Sequence, residues 1–187
     1  MQKTVLAIIA LALFGFANAQ VKFDGACPTN VRVQSNFNVL AYMGIWYEYS
    51  KYPAFFEANR RCIQGQLTLR RDGGVDMVNS GINTITNKPS STAGSAVVVE
   101  NAKLKVTFPQ SAPSSVISNY WVLSTDYDNY SVVYSCQPSD ANSHSIFAWI
   151  LSRTRAPSAE IISKAKRVLT ENGVSLSKLI VTDQSNC

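Results

Sequence analysis

The chain has a single histidine, His144, and only four cysteines, none of them in a C-x-x-C pair. A zinc site therefore lacks its nitrogen and sulfur ligands, and no metal is expected. Charge is sparse, 16% of the 187 residues, and the formal excess of +5 is scattered over short groups such as Arg60-Arg61, Arg70-Arg71 and Lys164, Lys166, Arg167. Nucleic-acid binders concentrate Lys and Arg on one face, often within a recognisable motif, and none is present, so no nucleic-acid partner is expected. The sequence also lacks a nucleophile-elbow motif. The apolar run Val5 to Phe16 falls short of the roughly 20 residues that a spanning helix needs.

That run is preceded by Lys3 and followed by Ala17-Asn18-Ala19, a small-x-small cleavage site before Gln20. Residues 1–19 read as a signal peptide and residues 20–187 as one secreted, extracellular domain, large enough to bury roughly two-thirds of its unfolded surface. Cys27, Cys62, Cys136 and Cys187 all follow the leader, and an even count in an exported chain argues for two disulfides. Spacing alone leaves three pairings open.

From Gly44 onward, short segments rich in Val, Ile, Thr, Tyr and Phe alternate with turn residues, the rhythm of an all-β barrel or sandwich. The expected strands are 44–51, 61–70, 75–85, 93–99, 103–108, 116–123, 130–137 and 145–151. One helix interrupts them: after Pro157, the apolar Ile161, Ile162, Ala165, Val168 and Leu169 form a single stripe that Asn172-Gly173 ends. Such a stripe packs on a flat apolar surface, here the outside of the barrel. Leu176 to Val181 reads as a further short strand.

Three motifs stand in order along this pattern: Gly44-Ile45-Trp46-Tyr47-Glu48, Thr125-Asp126-Tyr127 and Leu151-Ser152-Arg153. With them come Gly25-Ala26-Cys27-Pro28, Lys51-Tyr52-Pro53, Arg61-Cys62-Ile63-Gln64 and Trp149-Ile150-Leu151-Ser152-Arg153. The set resembles the lipocalins, most closely the branch of apolipoprotein D, insect bilin-binding proteins and Lazarillo-like proteins, over nearly all of the mature chain. The resemblance implies an eight-stranded antiparallel up-and-down β-barrel with one C-terminal α-helix outside, and room within for one small apolar ligand.

It also implies residue roles. Gly44, Trp46, Thr125, Asp126 and Arg153 are structural, with Arg153 packed over the Trp46 ring at the closed end. The disulfides implied are Cys27–Cys136 and Cys62–Cys187. If Cys136 reaches an arm outside the barrel, alternation turns Val133 and Ser135 inward, and Arg153 at the floor places Phe147 and Trp149 on the inner face. Likeness to the family adds Val116, Ser118 and Tyr120, then Leu104, Val106 and Phe108, then Asn79. Glu48 shares the face of Trp46 and reads as a buried carboxylate near the floor, which needs a partner or a raised pKa.

Phe55 and Phe56 are adjacent aromatics in a loop that should be polar, and read as a lid over the mouth or a membrane-touching tip, against simple packing between loops. Arg60 and Arg61 near the mouth are candidates to pair with a ligand carboxylate. His144 reads as an exposed loop residue pointing away from Phe147, and Asn129-Tyr130-Ser131 as an N-glycosylation sequon. The expected function is a secreted carrier of a small hydrophobic ligand, with bilins such as biliverdin, retinoids, fatty acids and sterols as the implied classes and no cofactor required. The alternatives are an interaction protein docking a membrane, lipoprotein particle or receptor through its mouth loops, and a cavity isomerase, for which no cysteine is left over. No enzymatic activity is expected.

Overall fold

The computed structural model describes residues 20–108 and 116–187, with backbone alone for 116 and 117; the expected leader lies outside the described residues. In chain order come β1 (Val21–Asp24), α1 (Val39–Tyr42), β2 (Gly44–Lys51), β3 (Arg60–Leu69), β4 (Val75–Asn83), β5 (Pro89–Glu100), β6 (Lys103–Phe108), β7 (Val116–Thr125), β8 (Tyr130–Asp140), β9 (Ser143–Ser152), α2 (Ala159–Glu171) and β10 (Ile180–Val181). Strands β2 to β9 each pair antiparallel with the next, and β9 returns to β2, Tyr47 facing Ser152 and Lys51 facing Trp149. The result is a closed eight-stranded up-and-down barrel, which leaves no long strand edge to aggregate. Outside it, β1 extends along the first half of β9 and β10 along the end of β2.

Local chemistry sets the boundaries. The expected third strand stops at Asn83 because its side-chain oxygen accepts from the amides of Ile85 and Thr86, both at 2.9 Å, and turns the chain out of the sheet. Leu176 to Val181 is not one strand: Ser175 caps a 3-10 turn over Leu176–Lys178, and only Ile180–Val181 pairs. Helix α2 starts at the Ser158 cap and ends where Gly173, at φ +74°, lets Val174 N bond back to Leu169 O at 2.9 Å. Its Ile162, Ala165 and Leu169 are buried against the outer faces of β7, β8 and β9.

The apolar residues thus form two clusters. One lies outside the barrel under α2 and the N-terminal arm; the other is the barrel floor around Tyr42 and Trp46. Cys27–Cys136 ties the N-terminal arm to β8, and Cys62–Cys187 ties the C-terminus to β3. His144 does point away from Phe147, but it is buried rather than exposed. Strand β1 covers it, the Phe23 ring stacks on it at 5.6 Å, and its Nδ1 lies 2.8 Å from Gly25 O.

Candidate functional site

The floor is built by the first motif and closed by the last. Gly44, at φ +97°, turns the chain from α1 into β2, and a Cβ there would lie 3.2 Å from an Arg153 nitrogen. Trp46 donates its indole N–H to Tyr42 O at 2.9 Å, and the Arg153 guanidinium stands 3.7 Å over the ring centre. Thr125 and Asp126 shape the β7–β8 turn beneath: Thr125 Oγ1 donates to Tyr130 O at 2.7 Å, while Asp126 accepts from the amides of Asn129 and Tyr130. Those bonds outweigh the burial that would raise the Asp126 pKa, and they hold its carboxyl below the usual range.

Above Trp46, the hydroxyl of Tyr42 bonds Ser131 Oγ at 2.8 Å and Tyr120 OH at 3.1 Å. Burial pushes the Tyr42 phenol up to about 12 and that of Tyr120 well above its ordinary value, so both stay neutral hydrogen-bonding groups. Leu104 and Val106 pack here with Leu67, Val75 and Val122, and register sets Leu104 beside Tyr120 and Val106 beside Ser118.

Higher up, register places Val133 opposite Trp149 and Ser135 opposite Phe147. The Phe147 and Trp149 rings stack at 6.1 Å, and Gln137 donates to Ser118 Oγ at 2.6 Å across the β7–β8 seam. Asn79 from β4 and Phe108 from β6 continue this wall, and Gly94 on β5 leaves room for Phe108, whose ring would lie 2.6 Å from a Cβ there. Asn79, Phe108, Ser118, Tyr120, Gln137 and Trp149 keep partial exposure although they face inward, so solvent-sized space reaches them. Ser135 Oγ is buried with no hydrogen-bond partner. Val116 pairs with Phe108 along the backbone, and its side chain lies outside the described residues.

Glu48 is buried one inward step above Trp46 and is not alone. Lys51 Nζ lies 3.1 Å from Glu48 Oε1 and 3.0 Å from Glu57 Oε2, Thr182 Oγ1 donates to Glu48 Oε1, and Trp149 Nε1 donates to Glu57 Oε2 at 3.3 Å. Burial and the charge of Glu57 push the Glu48 carboxyl up to about 7, against the pull of Lys51 and the Thr182 bond. Thr182 arrives because β2 and β3 part above the Tyr47–Gln64 pair and the C-terminal tail fills the gap: Thr182 N bonds Tyr49 O, and Asp183 O accepts from Cys62 N. Sequence alternation missed Lys51, since a bulge between Glu48 and Ser50 shifts the register by one and turns it inward beside Trp149.

At the mouth, the loop after β2 forms a 3-10 turn, Phe55–Glu57. Phe55 is 62% exposed; Phe56 leans its ring 5.5 Å from Phe147. Ile85 is exposed on the neighbouring loop. Arg61 donates to Ser185 O and Asn186 O, both at 3.2 Å, and so serves the tail, and both Arg60 and Arg61 line a pocket of about 410 Å³ beside Lys51 and Glu57. Asn129 is exposed at the closed end, its side-chain amide on Asp126 at 3.1 Å.

Comparison with known proteins matches residues 37–184 to the lipocalin-like domain. The chain is 38% identical to apolipoprotein D of Bos taurus over 190 residues, covering all of this chain and 98% of that protein. It is 32% identical to the bilin-binding protein of Pieris brassicae, covering 95% and 94%. Among solved structures, insecticyanin from the tobacco hornworm Manduca sexta superposes with a TM-score of 0.79 at 26% identity, over 89% of this chain and 90% of that one.

Proposed function

The chain belongs to the lipocalin family, and from that premise we propose that it is a secreted carrier holding one small hydrophobic molecule inside its barrel. The observation that carries this reading is the two-storey interior. A packed aromatic floor lies under a wall in which Phe108, Ser118, Tyr120, Gln137 and Trp149 face inward and each keeps partial exposure. Burying apolar ligand surface there contributes about 25 cal/mol per Å², and the few polar groups orient it. The similarity to a protein named for bilin binding puts bilins first among ligand classes, with retinoids, fatty acids and sterols after them. Two disulfides and the Lys3 to Ala19 leader suit an exported protein, with Asn129 as its glycan site. Native mass spectrometry of the secreted protein, with its absorption spectrum, tests the reading: a bound small molecule supports it, and a protein that stays empty with every ligand class overturns it.

The exposed Phe55 and Ile85 on adjacent mouth loops favour one further reading, in which the same mouth docks on a membrane or lipid particle. Replacing Phe55 and Phe56 with Ser then abolishes that association and spares ligand binding; loss of ligand binding assigns them to the lid. Catalysis by a cavity thiol has no candidate among the described residues, where every cysteine is bridged. A native thiol titration that finds a reactive cysteine would reopen it.

A further inference from the structure

Lys51 carries one ammonium between two carboxylates, on side chains that are 6%, 3% and 12% exposed for Lys51, Glu48 and Glu57. Glu57 also ends the turn bearing Phe55 and Phe56, and accepts the indole N–H of Trp149 on the cavity wall. We propose that Glu57 is the positioning residue of the mouth: it latches the Phe55–Phe56 turn onto the wall through Lys51 and Trp149, and ionisation of Glu48 behind Lys51 loosens that latch, so that an apolar ligand escapes faster as pH rises. Its ligand arm rests on the carrier reading; its loop arm does not.

The direction follows from counting charge. With both carboxylates ionised the nest holds one excess negative charge where little water screens it. Two events relieve the repulsion: Glu48 takes a proton, or Glu57 swings out with its loop. Opening therefore makes Glu48 more acidic, and by reciprocity ionising Glu48 favours opening. The charge of Glu57 is indeed the largest influence after burial in raising Glu48. The closed form, whose Glu48 pKa is the higher, gains below the open-form pKa and loses that gain as pH rises through about 7.

The groups that face Glu48 come from each element packed against it. Lys51 faces Glu48 from β2, Glu57 from the turn, and Thr182 from the tail; Arg60, Arg61 and Asp183 line the same pocket farther out. Strand β9 presents Leu151 and Trp149 here, and the second mouth loop presents Thr84. His144 is on the outer face under β1.

The test uses the full mature protein and N-phenyl-1-naphthylamine, a neutral apolar fluorophore, with its dissociation followed by stopped flow from pH 6 to 8. Amide exchange of residues 53–59 is measured in the same range without probe. Wild-type dissociation should accelerate with pH and the protection factors of residues 53–59, which divide out the base-catalysed intrinsic exchange rate, should fall, each by about tenfold for each unit separating the closed and open pKa values of Glu48. Glu57→Gln should be fast and flat across the range, and Glu48→Gln slow and flat. A merely structural role would speed both variants and leave their pH slopes equal to that of the wild type, and that result overturns the latch. So does a wild-type slope retained in Glu57→Gln. If the wild type binds no probe at any pH, the exchange of residues 53–59 alone decides the latch: unchanged protection in both variants overturns it, while the carrier reading stands or falls with the ligand classes named above.

Discussion

Arg153 holds its guanidinium 3.7 Å over the Trp46 ring while the same fork donates to the carbonyls of Met43 and Ile45, each at 2.8 Å, and its Nε donates to Tyr127 O at 2.8 Å. One side chain thus joins α1, β2 and the β7–β8 turn at the point where the barrel closes. The planar fork matters as much as the charge, because a single ammonium cannot reach three carbonyls and cover a ring together.

Arg153→Ala should therefore lower stability by about 2–4 kcal/mol, combining a lost cation–π contact with carbonyls left short of donors. Arg153→Lys should recover less than half of it. Urea unfolding with an unchanged slope is the check, and a loss under about 0.5 kcal/mol would mean that the apolar floor closes the barrel unaided.

The Cys62–Cys187 bridge closes a loop of 125 residues and pins the tail that carries Thr182 onto Glu48. Loop-closure entropy alone values such a crosslink at about 4–5 kcal/mol, an upper figure in practice. Cys62→Ala with Cys187→Ala should lower the thermal midpoint and, beyond the global loss, speed amide exchange at Thr182, whose N–H bonds Tyr49 O at 3.0 Å. A drop in midpoint without local exchange at Thr182 would show that β10 seats itself unaided.

Most of the barrel was legible in the sequence because closed sheets impose alternation and tight turns, and both leave marks in residue order. Strand β2 begins and ends where its Gly44 and the following Tyr52-Pro53 put it. Residues hidden from that reading are those where alternation breaks or where a distant segment intrudes. Lys51 is turned inward by a bulge that no residue type announces, and Thr182 reaches Glu48 across 134 positions. His144 looked exposed for the same reason: its cover, β1, is four residues of ordinary composition that pair only once the barrel exists. Leu104 and Val106 belong to the same buried cluster as Trp46, and depth along the barrel is a quantity that alternation does not encode.

Ser135 sits on the inner face opposite Phe147 with a buried hydroxyl that no protein group bonds. Ser135→Ala removes an unpaired buried polar atom and should leave the empty protein as stable or more stable, by up to about 1 kcal/mol. A ligand that satisfies the hydroxyl should lose affinity by about 5–10-fold in the variant, and one that does not should bind equally well. Titrating matched ligands with and without a polar group identifies which end of the molecule reaches this wall.

Glu48 sets a pH dependence of sign opposite to the ordinary carboxylate. Its native pKa of about 7 stands above the ordinary 4.5, so between those values the folded chain binds more protons than the unfolded one, and stability falls as pH rises. The contribution is complete below 4.5 and gone above about 7. Asp72, Asp126, Asp140 and Asp183 are all held below their usual range by hydrogen bonds that outweigh desolvation, and they pull the other way, costing stability as the medium turns acid. The absolute profile mixes both trends, and the difference between wild type and Glu48→Gln isolates one. The variant should be more stable than wild type at pH 8 by up to about 3 kcal/mol, with the gap closing toward pH 5. Urea unfolding of the two proteins at matched pH supplies the measurement. A gap that stays constant from pH 5 to 8 would mean that Lys51 holds Glu48 ionised throughout, and that the nest behaves as a fixed ion pair rather than a titrating one.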